Sequence, residues 1–126
     1  MNKGMKIAVW AAQIIVAGIF IQSLFFKFTG AQEAIALFTT LGVEPWGRIL
    51  TGVLELISAV LLFIPAFALY GAMLAALILL GAIVAHVTIL GIVSNNDGGL
   101  LFGMAVVALL LSSFVIYVRG KRFRKN

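Results

Sequence analysis

Four apolar runs, each about the length of a membrane-crossing helix, leave this chain little choice of class. They lie at about residues 7–26, 48–65, 69–93 and 100–118 of a 126-residue sequence. Runs of ~17 to 25 mostly apolar residues match a hydrocarbon core ~30 Å thick. With 63% hydrophobic and only 10% charged residues, and a mean hydropathy of +1.21, the sequence cannot give a soluble domain its polar shell. A closed barrel, the other spanning solution, needs period-2 alternation, which the runs lack. The expected fold is all-α, a single domain over 1–126: a four-transmembrane-helix bundle with a short amphipathic extracytoplasmic helix between spans 1 and 2.

Charge orients the expected bundle. Of nine Lys and Arg residues, seven sit in the two tails: Lys3 and Lys6, then Arg119, Lys121, Arg122, Arg124 and Lys125. That pattern puts both termini in the cytoplasm and the number of spans at an even value. The net charge of +5 therefore reads as membrane topology and contact with anionic lipid rather than as a nucleic-acid surface. Trp10 and Tyr117 mark interfaces. The first run is too long for a signal-peptide core and ends at Lys27-Phe28-Thr29-Gly30 without a convincing cleavage site, so it reads as a retained span.

The connections follow from local signals. Ala34, Leu37, Phe38 and Leu41 recur at i, i+3, i+4, i+7 opposite Gln32, Glu33, Thr39 and Thr40, which predicts a short helix lying on the membrane or folded over the bundle as a lid. Gly42 and Pro45 close it, and Trp46 anchors the re-entry. The uncharged link from Ile64 to Leu69 makes spans 2 and 3 an antiparallel hairpin. Ser94-Asn95-Asn96-Asp97-Gly98-Gly99 is a turn.

One carboxylate, Glu55, interrupts the second run. A charge in lipid is costly, so it must face a partner or a wet cavity. Lys27, Arg48 and His86 are the candidates. Arg48, Gly52, Glu55, Ala59 and Leu62 share one helix face, with Arg48 about 10 Å along the axis from Glu55. Gly71, Ala75, Ile78, Ala82 and His86 share another, a small-residue seam ending in the histidine about 12 Å below the outer boundary, a depth similar to that of Glu55. Gln13, Ala17, Phe20, Leu24 and Lys27 line the first span, with Gln22 on a different face.

Lys27, Arg48, Glu55 and His86 are thus expected in the outer half of the membrane, around a polar pocket opening outward, while the inner half reads as aliphatic and small. For Glu55 with His86 two readings stand: an interhelical hydrogen bond fixing register, or a ligand- or proton-handling site. Lys27 and Arg48 also suit plain interfacial anchors, and Gln13 and Gln22 helix–helix contacts. One histidine and no cysteine exclude thiol redox chemistry, covalent haem, iron–sulfur ligation and bis-His haem within one chain. They also fall short of a metal site.

Phe26-Lys27-Phe28-Thr29-Gly30, Leu41-Gly42-Val43 before Pro45, Gly52-Val53-Leu54-Glu55-Leu56 with the following Ala59 to Pro65, and Ala82 to His86 together resemble the DoxX and DoxX-like membrane proteins over about residues 8–91. The resemblance implies a four-helix transmembrane fold in a bacterial-type cytoplasmic membrane, with Lys27, Glu55 and His86 as its recurrent polar positions. It also implies association with respiratory or thiosulfate–quinone oxidoreductase assemblies, with resistance to oxidative and quinone stress or, among distant relatives, with assembly of other membrane proteins.

Three functions follow as expectations. The first is a membrane subunit that binds a small amphipathic, quinone-like ligand through Glu55 and His86, with Lys27 and Arg48 setting local charge, no redox centre of its own and electrons supplied by a redox protein partner. The second is a non-enzymatic assembly factor or accessory subunit, in contact with another membrane protein or a second copy of itself. The third, a proton-coupled carrier, lacks a polar inner path.

Overall fold

A computed structural model of the chain describes residues 2–93 and 97–125, with side chains as far as Lys121. The first three residues of the expected turn, Ser94, Asn95 and Asn96, lie outside the described residues, as do the side chains of Arg122, Arg124 and Lys125 in the basic tail.

The chain forms five α-helices and no strand among the described residues: α1 Lys3–Thr29, α2 Gln32–Thr40, α3 Trp46–Leu62, α4 Ala68–Ala85 and α5 Leu100–Lys125. A 3-10 turn, Pro65–Phe67, precedes α4, and a wider π-helical turn, His86–Leu90, continues it. Three helical stretches are long and apolar enough to cross a membrane: Lys3–Thr29, Pro65–Leu90 and Leu100–Lys121. α3 has 17 residues, or about 25 Å of rise, a little less than the hydrocarbon thickness.

Local chemistry sets the ends. Asn2 caps α1, its Oδ1 accepting from the Met5 amide at 2.7 Å. Gly30, at φ 70°, turns the chain out of α1 in the left-handed region that favours glycine. The third apolar run looks uniform in sequence, yet its winding changes at His86 and stops at Gly91, where φ is 83°.

α1 packs against α3 and α5, and α4 packs against α3 and α5, so four helices close a ring. Contacts near each end make neighbours antiparallel. Gln13 of α1 meets Leu62 at the end of α3, while Lys27 meets Glu55. Ser58 Oγ donates to the Gly71 carbonyl at 2.8 Å across the α3–α4 hairpin, and a Cβ on Gly71 would stand 2.9 Å from the Leu62 backbone nitrogen. α2 lies across one end of the ring, touching α1, α3 and the 86–90 turn. Its Ala34 is buried and Leu37 and Phe38 half-buried, while Gln32, Glu33, Thr39 and Thr40 are exposed, as the periodicity predicts.

The surface is apolar as well as the core. Val9, Val16, Phe20, Leu62, Ala72 and Val115 fill the core, but Gln13, Glu55, Ser58, His86 and Ser112 are buried with them. Ile7, Leu77, Val84, Val87 and Leu110 face outward, each more than half exposed. An apolar outer surface around a core that also holds buried polar side chains suits a lipid solvent.

Candidate functional site

Glu55 has found one of its three candidate partners. Lys27 Nζ stands 3.1 Å from Glu55 Oε1, Ser23 Oγ donates to the same oxygen at 3.2 Å, and Lys27 also donates to Ser23 Oγ. The approach depends on Gly52, one turn before Glu55: a Cβ there would lie 2.6 Å from Cε1 of Phe28. The bare backbone lets the ring lie between the helices, and the neighbouring Lys27 turns inward. Lys27 Nζ also sits 5.9 Å from the centroid of Phe38 on α2, so the lid helix covers the ammonium with an aromatic face.

Arg48 shares a helix face with Glu55 but pairs elsewhere. Its Nε donates to both carboxylate oxygens of Glu44, at 2.9 and 3.0 Å, and Nη1 donates to the Lys27 carbonyl. A local i,i+4 acid captures the guanidinium. Arg48 thereby ties the start of α3 to the end of α1, which holds Lys27 in place without contributing charge directly to Glu55.

His86 does not hydrogen-bond to Glu55. Its Nδ1 lies 2.8 Å from the Ala82 carbonyl one turn back, its Nε2 is buried with no hydrogen-bond partner, and its ring meets the edge of Phe102 on α5 at 6.0 Å. The interhelical register bond, one of the two readings of this pair, is therefore not formed. The His86 ring turns toward α5, although Gly71 at the start of the same face packs on α3.

Gln13 and Gln22 separate. Gln22 is exposed. Gln13, only 1% exposed, lies at the opposite end of the ring, where Nε2 donates to the Leu62 carbonyl at 2.8 Å and Oε1 accepts from Arg119 Nε at 2.9 Å. Arg119 also lies over Trp10, 5.7 Å from its centroid. That end is thus not purely aliphatic, because a tail arginine reaches back along α5 on its long stem.

Ser23, Glu44 and Phe102 escaped the sequence reading, which placed Phe38 only on the apolar face of the lid helix. Two carried a local signal, since Ser23 lies four residues before Lys27 and Glu44 four before Arg48. Phe38 and Phe102 depend on tertiary packing. Among the described residues no group of three or more His, Asp or Glu side chains could hold a metal ion. A groove of about 510 Å³ opens between α1 and α5, lined by Ile19, Asp97, Gly99, Gly103, Met104 and Val107, with Ile19 one turn before Ser23 on α1. Chemically, one end of the ring therefore offers a shielded ion pair with a hydroxyl and, under the same lid helix, a free imidazole nitrogen.

A family model, that of the DoxX-like family, matches residues 11–115. No curated protein and no solved structure matches the chain.

Proposed function

The chain belongs to the DoxX-like family, and on that premise we propose that it is a four-span subunit of a bacterial-type cytoplasmic membrane which holds a small amphipathic, quinone-like ligand. The site lies at the extracytoplasmic end under α2: Lys27, Ser23 and Glu55 form one side, His86 the other, and Arg48 positions Lys27. Both termini are cytoplasmic, in keeping with the basic tails. Any electrons come from a protein partner, because the chain carries no cysteine and one histidine.

The observation that carries this reading is the shielded Lys27–Glu55 pair. A buried carboxylate, a largely covered ammonium and a hydroxyl are an expensive way to join two helices that small residues already bring together. They are better explained as groups kept for a polar ligand end. Mass spectrometry of small molecules retained by protein purified from native membranes tests it. A molecule held by wild type and lost from Glu55→Gln and His86→Ala, both still folded, supports the site. Equal retention by all three proteins, or none in wild type, sinks it.

A second reading, as an accessory or assembly subunit, has its own support. Gly18, Gly81 and Gly103 are exposed, with nothing within 4 Å of a Cβ built on them, and bare helix positions of this kind admit a neighbouring helix. A stoichiometric membrane-protein partner captured in mild detergent, lost on Gly81→Leu or Gly103→Leu but indifferent to Glu55→Gln, favours it.

A further inference from the structure

Resting on that ligand-site reading and narrowing it to the hydroxyl-bearing, hydroquinone form of a quinone-like ligand, we infer that the ligand group meeting His86 is a hydrogen-bond donor: the site takes an apolar molecule bearing a phenolic hydroxyl and discriminates against one whose only polar atoms are ether or carbonyl oxygens, the oxidised quinone included. The inference begins with the tautomer. Nδ1 lies 2.8 Å from the Ala82 carbonyl oxygen, and a carbonyl only accepts, so Nδ1 carries the hydrogen. The ring is 6% exposed and no carboxylate pairs with it, because Glu55 is engaged by Lys27. An imidazolium there would be a buried charge without a counter-ion. With the ring hydrogen on Nδ1, Nε2 presents a lone pair.

That lone pair is the unmet half of the residue. Buried acceptors in folded proteins are nearly always paired, and among the described residues none donates to it: the 86–90 turn directs Thr88 Oγ1 back to Val84 O, and Phe102 offers only a ring edge. A metal ion needs further ligands, and none are gathered among the described residues. An incoming O–H satisfies Nε2, whereas an incoming oxygen acceptor meets it lone pair to lone pair.

His86 is the sole histidine, so nitrogen-15 histidine labelling gives one imidazole signal set in the intact protein in nanodiscs. The expected free state has Nδ1 protonated and Nε2 bare. Para-octylphenol should shift the Nε2 resonance and bind roughly tenfold or more tightly than para-octylanisole, its methyl ether, which should leave that resonance in place. A protonated Nε2 in the free protein, equal shifts with the two probes, or no shift with either overturns the inference. Native-membrane mass spectrometry separates this failure from that of the function: a retained molecule without O–H or N–H groups, lost on Glu55→Gln, overturns the donor rule while upholding the ligand site. A selective octylphenol shift upholds the donor rule even where nothing is retained natively.

Discussion

Lys27 Nζ and Glu55 Oε1 lie 3.1 Å apart on neighbouring antiparallel helices, with side chains 16% and 6% exposed. Neither charge is tolerable there alone. Their closeness follows from residues that carry no charge: Gly52 admits Phe28 between the helices, and the Lys27 carbonyl receives Arg48. The pair is therefore a property of how α1 and α3 pack, and packing and electrostatics should fail together.

Removing one partner leaves the other buried and unpaired, which typically costs about 3–5 kcal/mol. Lys27→Met and Glu55→Leu should each lower the stability of the detergent-solubilised protein by about that amount, with Ser23 softening the loss of Lys27. The double substitution should recover most of it, because an apolar pair suits an apolar interface. Denaturant titrations of the four proteins, read as a double-mutant cycle, check this. Additive losses would mean that the two charges do not depend on one another.

Two glycines of the same helix should respond oppositely to the same substitution. A Cβ on Gly71 meets the Leu62 backbone at 2.9 Å, which forces α3 and α4 apart and strains the Ser58 bond to the Gly71 carbonyl, so Gly71→Ala should destabilise by about 1–3 kcal/mol. A Cβ on exposed Gly81 meets nothing within 4 Å. Gly81→Ala should be neutral or stabilise by up to about 1 kcal/mol through helix propensity. Thermal melting of both variants in one detergent decides the sign.

Periodicity reveals which face of each helix is buried, and Gly52, Glu55, Ala59 and Leu62 are buried together as their spacing demands. It cannot say which neighbour that face meets. His86 follows the expected seam and is buried, but its helix also packs on α5, and the ring went to Phe102 rather than to Glu55. The choice of Lys27 over Arg48 was likewise undecidable from depth alone. It depends on Glu44 lying four residues ahead of Arg48, a local pairing that helix spacing makes legible. The change of winding at His86 leaves no trace in composition, since the run stays apolar to Val93. Gln13 and Arg119, 106 residues apart, meet only because the ring closes.

Arg119 should act as a clasp for the end of the ring opposite Lys27. Its Nε bond to Gln13 and its cover over Trp10 join α5 to α1, and Gln13 carries the connection on to Leu62 of α3. Arg119→Met should cost about 1–3 kcal/mol. Gln13→Leu should cost a similar amount, and the double variant little more than either alone, as expected for residues of one network. Hydrogen exchange should rise first around Leu62 and the 65–67 turn. Exchange unchanged there in both variants would mean that the end is held by apolar packing alone.

The crossing of α3 is the step on which the proposed orientation of the site depends. Its 17 residues rise about 25 Å, short of a core ~30 Å thick, and a deficit of this size is met by local thinning of the bilayer or by flanking residues reaching to the interface. If α3 crosses, Ala66 returns to the side of the N-terminus while Gln32 lies opposite. If α3 only dips into the membrane, Ala66 and Gln32 share a side. The chain has no cysteine, so single substitutions at exposed Gly4, Gln32 and Ala66 can be probed without background. A membrane-impermeant maleimide applied to intact spheroplasts should label Gln32→Cys at once, and Gly4→Cys and Ala66→Cys only after permeabilisation. Labelling of Ala66→Cys from outside would show α3 turning back within the membrane and would overturn the four-span topology of the proposal.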